Sequence, residues 1–313
     1  SILYFCRNFI IIFALFGLTE AFSYGTVAVI GASGNLGRAV VKELCNNKIS
    51  TKILNRPNTS SNINNNYNEY PNIKIVNGDV NNYESIVKLL EGVDTCIAVH
   101  GSKRKTKLID IIVNNVNDLN HPVNVNYLGM INIINAAKKT KTKHIIRVTG
   151  NGEKTWSIPS IIINLFGSMH KAWNYAGECE LRNSNISYTI IRPGIMNNDV
   201  DADLSLTLRD NGMYLVPTKI SYNKIANLCL DCITHPNVKN TTLTAMTTEP
   251  AYGKSSWIPL LRKVNSDTRN FPDKLLIILK HYIAATIVSV IFLIFINTII
   301  LLPVINKLSW MLL

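Results

Sequence analysis

Charged residues are scarce in this chain, and the shortage is greatest at its two ends. Only 17% of the 313 residues are Asp, Glu, Lys or Arg, whereas 47% are hydrophobic, and the mean hydropathy is +0.14. That balance is unusual for a soluble enzyme. A chain of this length holds one domain of roughly 200 to 250 residues with a remainder, and the remainder lies in the apolar ends.

The first apolar segment has no charge between Ile10 and Leu18, and small residues follow it. This arrangement predicts a signal or targeting segment over residues 1–21; a buried first helix is the alternative. The run Glu20-Ala21-Phe22 resembles the junction of leaders that direct proteins into plastids of secondary origin. Little chain remains after it to act as a transit peptide.

No charged residue lies between Tyr282 and Leu302, a run long enough to cross a hydrocarbon core about 30 Å thick at about 1.5 Å per residue. We therefore predict a single transmembrane helix over 282–302, preceded by a linker or interfacial segment over 250–280 and followed by a short tail over 303–313. A core helix is the alternative.

The side of the membrane follows from the basic residues, which lie mostly before this span: Arg262, Lys263, Arg269, Lys274 and Lys280. The positive-inside tendency keeps the domain on a cytosol-like face, whereas a simple secretory signal would carry it into a lumen. An organellar membrane, with the domain facing the stroma of a plastid, reconciles the two signals. The ER membrane is the alternative.

Metal and disulfide patterns are also missing. The chain has six cysteines, and Cys229 and Cys232 form a C-x-x-C within an apolar helical run that has no second pair. Buried packing and no metal site are the expectation.

The net charge is +12, yet the lysine runs at 103–107 and 138–143 are not interleaved with aromatic residues. These runs predict solvated basic faces near an anionic membrane and no nucleic-acid partner.

Short β-rich runs alternate with helical patterns from residue 26 onward, which predicts an α/β domain over 25–249 with a doubly wound parallel sheet and a small C-terminal substrate portion. An Asn- and Ser-rich stretch from Pro57 to Tyr70 predicts a solvated insertion. The predicted strands are Thr26–Ile30, Thr51–Leu54, Ile73–Val76, Asp94–Val99, His144–Val148, Ser187–Ile191 and Thr241–Met246, and the predicted helices follow Leu36 or span Tyr83–Leu90, Asn126–Lys138 and Lys171–Asn183.

The strongest motif is Gly31-x-x-Gly34-x-x-Gly37, placed between the first strand and the first helix. The glycines permit a tight turn and a close backbone approach, and the helix N-terminus offers N–H groups to a pyrophosphate. The motif predicts a Rossmann-type dinucleotide site whose loop residues are Gly31, Ala32, Ser33, Gly34, Asn35, Leu36 and Gly37.

The end of the second strand lacks the acidic residue that would bind the adenosine ribose. The sequence there is Ile53-Leu54-Asn55-Arg56. A guanidinium at Arg56 can stack on adenine and pair with a 2′-phosphate, so the expected cofactor is NADP, as NADPH. A surface arginine is the alternative.

Later motifs extend the pattern: Gly78-Asp79-Val80, Val99-His100-Gly101, Val148-Thr149-Gly150, Glu178-x-x-Leu181-Arg182-x-Ser184, Tyr188 to Gly194, and Ile220-Ser221 to Ala226. Together they resemble the atypical short-chain dehydrogenases of the NmrA-like, NAD(P)H-binding group, from about Thr26 to Met246. The resemblance implies that Asp79 contacts the adenine amino group. It also implies a cofactor site that includes Val80, His100, Gly101, Thr149, Pro193 and Gly194, with Thr149 where the family usually has Ser.

The chain departs from that family at its catalytic pair. Measured back from Glu178, the usual Lys falls at Asn174 and the usual Tyr at His170. Asn174 cannot supply the positive charge that lowers the tyrosine pKa. His170 is a candidate acid or base, since its unperturbed pKa of about 6.5 suits that task; a packed or surface histidine is the alternative. Tyr175 is a nearby candidate.

Two functions are compatible with this pattern. The first is a membrane-anchored NADPH-dependent oxidoreductase acting on a small aromatic or conjugated acceptor of the flavin, quinone or bilin type, which takes its proton from solvent and needs no Tyr/Lys pair. The region from Leu181 to Met246 resembles flavin and biliverdin reductases of the same family. The second is a non-catalytic NADPH-binding assembly or scaffold factor for an organellar membrane complex.

Overall fold

The computed structural model describes residues 24–56, 67, 70–103, 117–198 and 204–301. The predicted segments 1–21 and 303–313, and most of the insertion at 57–70, lie outside these residues. The strands are β1 (Val27–Ile30), β2 (Thr51–Asn55), β3 (Ile73–Asn77), β4 (Thr95–Ala98), β5 (His144–Val148), β6 (Ser187–Pro193), β7 (Ile195–Asn197), β8 (Ser205–Arg209), β9 (Lys219–Ser221) and β10 (Thr241–Thr248).

In the described part of the chain, six helices lie between strands, and the last two follow β10. The helices are α1 (Asn35–Asn46), α2 (Tyr83–Leu90), α3 (Gly129–Thr140), α4 (Ile158–Phe166), α5 (His170–Arg182), α6 (Tyr222–Thr234), α7 (Ile258–Leu261) and α8 (Lys274–Ile296). A π-helical turn at Val123–Leu128 leads directly into α3, and a second one at Asn297–Leu301 follows α8.

The main sheet has eight strands in the order β3-β2-β1-β4-β5-β6-β10-β8. All neighbours pair in parallel except β8 and β10, which are antiparallel. The predicted α/β fold with a doubly wound parallel sheet is therefore confirmed. From β1 the chain first builds outward through β2 and β3 and then returns to β4. The crevice at the carboxyl ends of β1 and β4 is therefore a topological switch point, where such sheets bind ligands.

The core lies on both faces of this sheet, as the buried β1 run Val27–Ile30 shows. Val27 and Val29 pack into a cluster with α1 and α6, whereas Ala28 and Ile30 pack into a second cluster with α2 and α3. Strands buried on both faces have continuous apolar runs, which explains why the sequence pattern identified them. Cys229 and Cys232 are free thiols buried in α6, as expected.

The segment over 250–280, predicted as a linker or interfacial segment, packs against the domain. Trp257 is 2% exposed, and its indole N–H donates to the Lys224 carbonyl oxygen at 2.7 Å. Leu261 is fully buried in the cluster that contains α1 and α6. Residues 250–273 therefore hold the chain close to the sheet before α8 begins at Lys274.

Helix α8 begins at Lys274, upstream of the predicted start at Tyr282. Asp273 caps its first turn, and Ile277, His281, Ala284 and Ala285 are buried. These residues lie against α4 and α5, while the side chains from Val290 onward are mostly exposed. Among the described residues one helix, Lys274–Ile299, is long and apolar enough to cross a membrane. The crossing itself stays a prediction.

Candidate cofactor and active site

The glycine loop between β1 and α1 has the geometry of a phosphate-binding turn. Gly31 has a φ of +99°, and a Cβ there would lie 2.6 Å from the backbone nitrogen of His100. A Cβ on Gly37 would lie 2.0 Å from the Gly31 carbonyl oxygen. At Gly34 the nearest atom would be 3.4 Å away. Gly31 and Gly37 are thus required by the fold, and Gly34 leaves room for a ligand to approach.

The N-terminus of α1 is available for an anion. Gly34 is its N-cap, and no side chain caps the first turn, so the N–H groups there point out of the helix without helical partners. The side chains of Ala32 and Leu36 pack in the core, which leaves only their backbone for binding. These features fit the pyrophosphate of a dinucleotide.

Arg38 stabilises this loop through two hydrogen bonds, a role that the glycine motif did not reveal. Its Nη1 donates to the Ser33 carbonyl oxygen at 2.8 Å, and its Nη2 donates to Asn35 Oδ1 at 2.6 Å. Asn35 Nδ2 in turn lies 3.4 Å from the Tyr222 hydroxyl at the start of α6. The loop is therefore fixed from its outer side.

The two residues that the sequence predicts at the adenosine end of the site, Arg56 and Asp79, lie close together. Arg56 Nε lies 4.0 Å from Asp79 Oδ2, and Arg56 Nη1 donates to Asn120 Oδ1 at 3.1 Å. Asp79 Oδ1 accepts from the Asn81 backbone N–H at 2.8 Å. Val80 is buried, and its carbonyl oxygen accepts from Asn132 Nδ2 at 3.0 Å. The Arg56 side chain is 45% exposed, so its guanidinium can reach a ribose phosphate.

His100 follows β4 directly beneath the glycine loop. Its Nδ1 lies 3.0 Å from Nη1 of Arg147. Because a guanidinium only donates, Nδ1 accepts and the proton is on Nε2. Burial, then the charge of Arg147, lowers the pKa of His100 well below its usual value. The remaining ring N–H faces the backbone of Val125, and that hydrogen bond opposes the shift.

Arg147 is a buried cation in the middle of the site, on β5. It is 1% exposed, and its Nη1 also donates to the carbonyl oxygens of Ala98 and His100 at 3.2 and 2.9 Å. Its Nη2 donates to Asn174 Oδ1 at 3.0 Å. Burial lowers its pKa to about 10, so it stays cationic at neutral pH.

Arg147 on β5 therefore supplies, next to Asn174, the positive charge that a lysine at that position would carry. Sequence reasoning missed Arg147, although a charged residue within the otherwise apolar run His144–Val148 was a visible signal. A buried cation has to be neutralised or extensively hydrogen-bonded, and here it is hydrogen-bonded to the candidate site residues themselves.

His170 lies at the first position of α5, beside Gly101. The Ser102 N–H donates to Asn126 Oδ1 at 3.0 Å, which fixes the amide so that Asn126 Nδ2 donates to Nδ1 of His170 at 3.2 Å. The proton of His170 is consequently on Nε2, near Gly101. Burial, then the charges of Arg147 and Lys171, lowers the pKa of His170 to about 4. At neutral pH His170 is therefore a neutral hydrogen-bond donor.

Thr149 and Gly194 mark the carboxyl ends of β5 and β6. Thr149 Oγ1 donates to Glu178 Oε1 at 2.5 Å, which binds this strand end to α5. A Cβ on Gly194, which follows Pro193, would lie 2.1 Å from the Thr218 carbonyl oxygen. Gly194 thus serves close packing as well as any contact with a cofactor.

Behind the acceptor side lies a buried network of carboxylates and guanidinium groups. Glu178 is fully buried; Arg192 pairs with it at 2.5 Å, and Arg182 pairs with it at 2.8 Å. Burial opposes ionisation of Glu178, but these two arginines and Thr149 outweigh it and hold its pKa at about 2. The family-like motif around Glu178 is thus structural.

The same network reaches the segment before α8. Glu153 accepts from Arg192 at 2.7 Å and from Arg269 at 2.7 and 2.8 Å. The guanidinium groups of Arg182 and Arg269 lie 3.7 and 3.9 Å from the Phe271 ring centroid. Tyr175, the alternative candidate acid, donates its hydroxyl to the Pro272 carbonyl oxygen at 2.7 Å. It belongs to this network and not to the catalytic candidates.

Comparison with known proteins agrees with this geometry. The model of a family described as NAD(P)H-binding matches residues 31–236. The chain belongs to this NAD(P)H-binding family. Protein TIC 62 of Arabidopsis thaliana, a chloroplastic protein, is 26% identical over 199 residues, which cover 62% of this chain and 29% of that protein. The chain therefore matches less than a third of that relative's length.

Two further similarities concern oxidoreductases. Sanguinarine reductase of Eschscholzia californica is 30% identical over 124 residues, covering 38% of this chain and 44% of the reductase. A short-chain dehydrogenase/reductase of Veillonella parvula, solved in complex with NADP, superposes with a TM-score of 0.57 at 13% identity, covering 74% of this chain and 97% of that one. The chain is thus an NAD(P)H-binding, oxidoreductase-like protein with a Rossmann-like fold.

Proposed function

We propose that this chain is an NADPH-dependent reductase of a small conjugated acceptor, of the flavin, quinone or bilin type, and that α8 anchors it to an organellar membrane. The proposal rests on a neutral histidine donor, His170, at the position of the family's Tyr, and on a buried cation, Arg147, hydrogen-bonded to Asn174 at the position of the family's Lys. Asn126 orients His170, and Arg147 lies within hydrogen-bond distance of Asn174.

The choice of NADPH rests on Arg56. Its guanidinium lies at the carboxyl end of β2 beside Asp79. A 2′-phosphate adds negative charge and three acceptor oxygens, which suit the planar donor set of arginine. The carboxylate of Asp79 remains available to the adenine amino group.

The chemistry divides between cofactor and chain. When bound, the nicotinamide supplies the hydride. His170 Nε2–H hydrogen-bonds the acceptor heteroatom and polarises it. Because the pKa of His170 is lowered to about 4, the ring is neutral at pH 7 and carries only the Nε2 proton. A neutral imidazole is a very weak acid and keeps that proton, so solvent supplies the proton that completes the reduction. Arg147 positions Asn174 and His100 through its hydrogen bonds, and its positive charge lies behind them in a buried environment.

The proposed location is a plastid membrane with the domain on the stromal side. The support is the similarity to chloroplastic relatives, together with the basic residues before α8 and the apolar length of that helix. An ER membrane is the alternative location.

The test uses the full chain in detergent with NADPH and flavin, quinone and bilin acceptors in turn, following loss of nicotinamide absorbance. We expect turnover with at least one class, and loss of turnover in His170→Ala with NADPH affinity retained. Lys42→Ala, an exposed change on α1, is the control. NADPH binding without turnover on any acceptor would contradict the reductase.

That negative outcome would favour the second candidate, a non-catalytic NADPH-binding assembly or scaffold factor. The specific observation in its favour is Asn174, because an amide at the lysine position removes the standard means of lowering a tyrosine pKa. A scaffold needs the cofactor only as a ligand and would bind NADPH equally well after His170→Ala.

A further inference from the structure

Helix α4 has its polar and apolar faces reversed relative to a helix on a water-exposed surface. Ser160 and Asn164 are 0% and 1% exposed, whereas Ile158 and Phe166 are 74% and 75% exposed. Ile162 and Ile163 are also exposed, at 49% and 44%. A surface helix in water buries its apolar stripe and exposes its polar one, so the outer face of α4 is not adapted to water.

Hydrogen bonds fix this orientation. Asn164 Nδ2 lies 2.7 Å from Nδ1 of His281, and Asn164 Oδ1 accepts from the Lys171 backbone N–H at 2.9 Å. Lys171 Nζ donates to Ser160 Oγ at 2.6 Å. Turning the helix to bury its isoleucines would break these hydrogen bonds and leave buried polar groups without partners, which is unfavourable.

The position of α4 along α8 is also fixed. His281 directly precedes the uncharged run that begins at Tyr282, and its Nε2 lies 2.7 Å from the Gly152 carbonyl oxygen. Leu165 of α4 and Tyr282 of α8 pack in one cluster with Ala285. The C-terminal end of α4, at Asn164 and Leu165, therefore lies at the level where α8 enters its apolar stretch.

The surroundings have the composition of a membrane interface. Trp156, just before α4, is 56% exposed, and indole rings concentrate at the headgroup level. Lys154 and Lys280 are exposed near Gly152 and His281 respectively. Cations at this level suit anionic headgroups.

We propose that the outer face of α4, defined as Ile158, Ile162, Ile163 and Phe166, lies in the interfacial region of the bilayer that α8 crosses. The inference rests on the membrane anchorage in the proposed function. It adds a second, in-plane contact of the kind that interfacial helices make. A protein partner or a second copy would also cover an apolar face, but continuity with α8 favours lipid.

The test uses the full chain in phosphatidylcholine–phosphatidylglycerol vesicles, with an environment-sensitive fluorophore on one introduced cysteine. The variants are Ile162→Cys on α4, Ile291→Cys on the exposed part of α8, and Lys42→Cys on α1 as the water-exposed control. Labelling of the unsubstituted chain gives the background. We expect brominated acyl chains to quench the labels at 162 and 291 severalfold more than the label at 42, and iodide to show the opposite order.

The other outcomes overturn the proposal in distinguishable ways. If label 291 is quenched by lipid while label 162 is open to iodide, α4 faces water and only the anchor stands. If label 162 is shielded from both quenchers, protein covers the face. If neither label meets lipid, the anchor and the α4 contact both fail. NADPH oxidation measured on the same samples reports separately on the reductase.

Discussion

The candidate site has two halves that differ in how closely they match the family. The nucleotide half lies around β1 to β3, and the acceptor half lies around β5 and α5. Around β1 to β3 the chain keeps the family arrangement, with glycines where a Cβ would collide with backbone and Asp79 after β3. Around β5 and α5 the Tyr and Lys positions hold His170 and Asn174, and the cation comes from Arg147 on another strand. Under the proposed function, binding and turnover are therefore separable, and substitutions in each half should affect one of them.

The largest expected effect concerns the stability of the acceptor half. Glu178→Gln removes the carboxylate that neutralises buried Arg192 and Arg182, and breaking such a buried pair costs about 3–5 kcal/mol. Denaturant unfolding measures it. Glu180→Gln, on the same helix, disrupts a part-exposed pair with Lys274 and should cost no more than about 1 kcal/mol.

The ion pairs of Glu178 with Arg192 and Arg182 also make the stability of the fold depend on pH. Because the pKa of Glu178 is lowered from 4.5 to about 2 in the folded chain, its ionisation stabilises the fold fully above about pH 4.5. That stabilisation is lost as the pH falls toward 2. Glu178→Gln should lack this part of the acid-unfolding curve. An unchanged curve in the variant would show that Glu178 is not the group responsible.

The substitution expected to weaken cofactor binding in the nucleotide half most strongly is Gly37→Ala. In Gly37→Ala the added Cβ would meet the Gly31 carbonyl oxygen at 2.0 Å, so the loop has to open. We expect NADPH affinity to fall at least about 100-fold, or about 2.8 kcal/mol, in a fluorescence titration. Lys42→Ala on the same helix should leave the affinity unchanged. Retained affinity in Gly37→Ala would mean that this loop does not hold the cofactor.

The acceptor half is tested next at Arg147, a positioning residue that acts through Asn174 and His100. Arg147→Met should lower kcat about 10- to 100-fold, or about 1.4–2.8 kcal/mol, with little change in the KM for NADPH. Arg147→Lys should recover part of the loss. Since the charge of Arg147 helps to lower the pKa of His170, the Met variant should also show a pH–rate inflection nearer neutrality. A purely structural role would produce no such shift.

The smallest effect is expected at Arg56. Replacing this half-exposed guanidinium with Ala should weaken NADPH binding about 10-fold, or about 1.4 kcal/mol, and leave NADH binding nearly unchanged. Parallel titrations of the two cofactors measure the preference. Equal affinities in the unsubstituted chain would contradict the assignment of NADPH.

The sequence was informative where structure is local. Continuous apolar runs identified most strands of the main sheet, and the glycine spacing located the loop. It was uninformative where contacts are distant: Glu153 and Arg269 are 116 positions apart, and their pairing has no local pattern. Helix α4 was missed because the run Ile158–Phe166 is short and almost continuously apolar, so it shows no clear helical period. The start of α8 was placed late because the prediction followed the uncharged run, which Lys280 and His281 interrupt.

The central claim, that binding belongs to one half and turnover to the other, is tested most directly by His170→Ala. NADPH affinity and acceptor reduction should be measured on the same preparation of the full chain. The account predicts an unchanged dissociation constant with reduction lowered at least about 10-fold, or about 1.4 kcal/mol in the barrier. Reduction that continues at the unsubstituted rate, or affinity lost together with reduction, would contradict it.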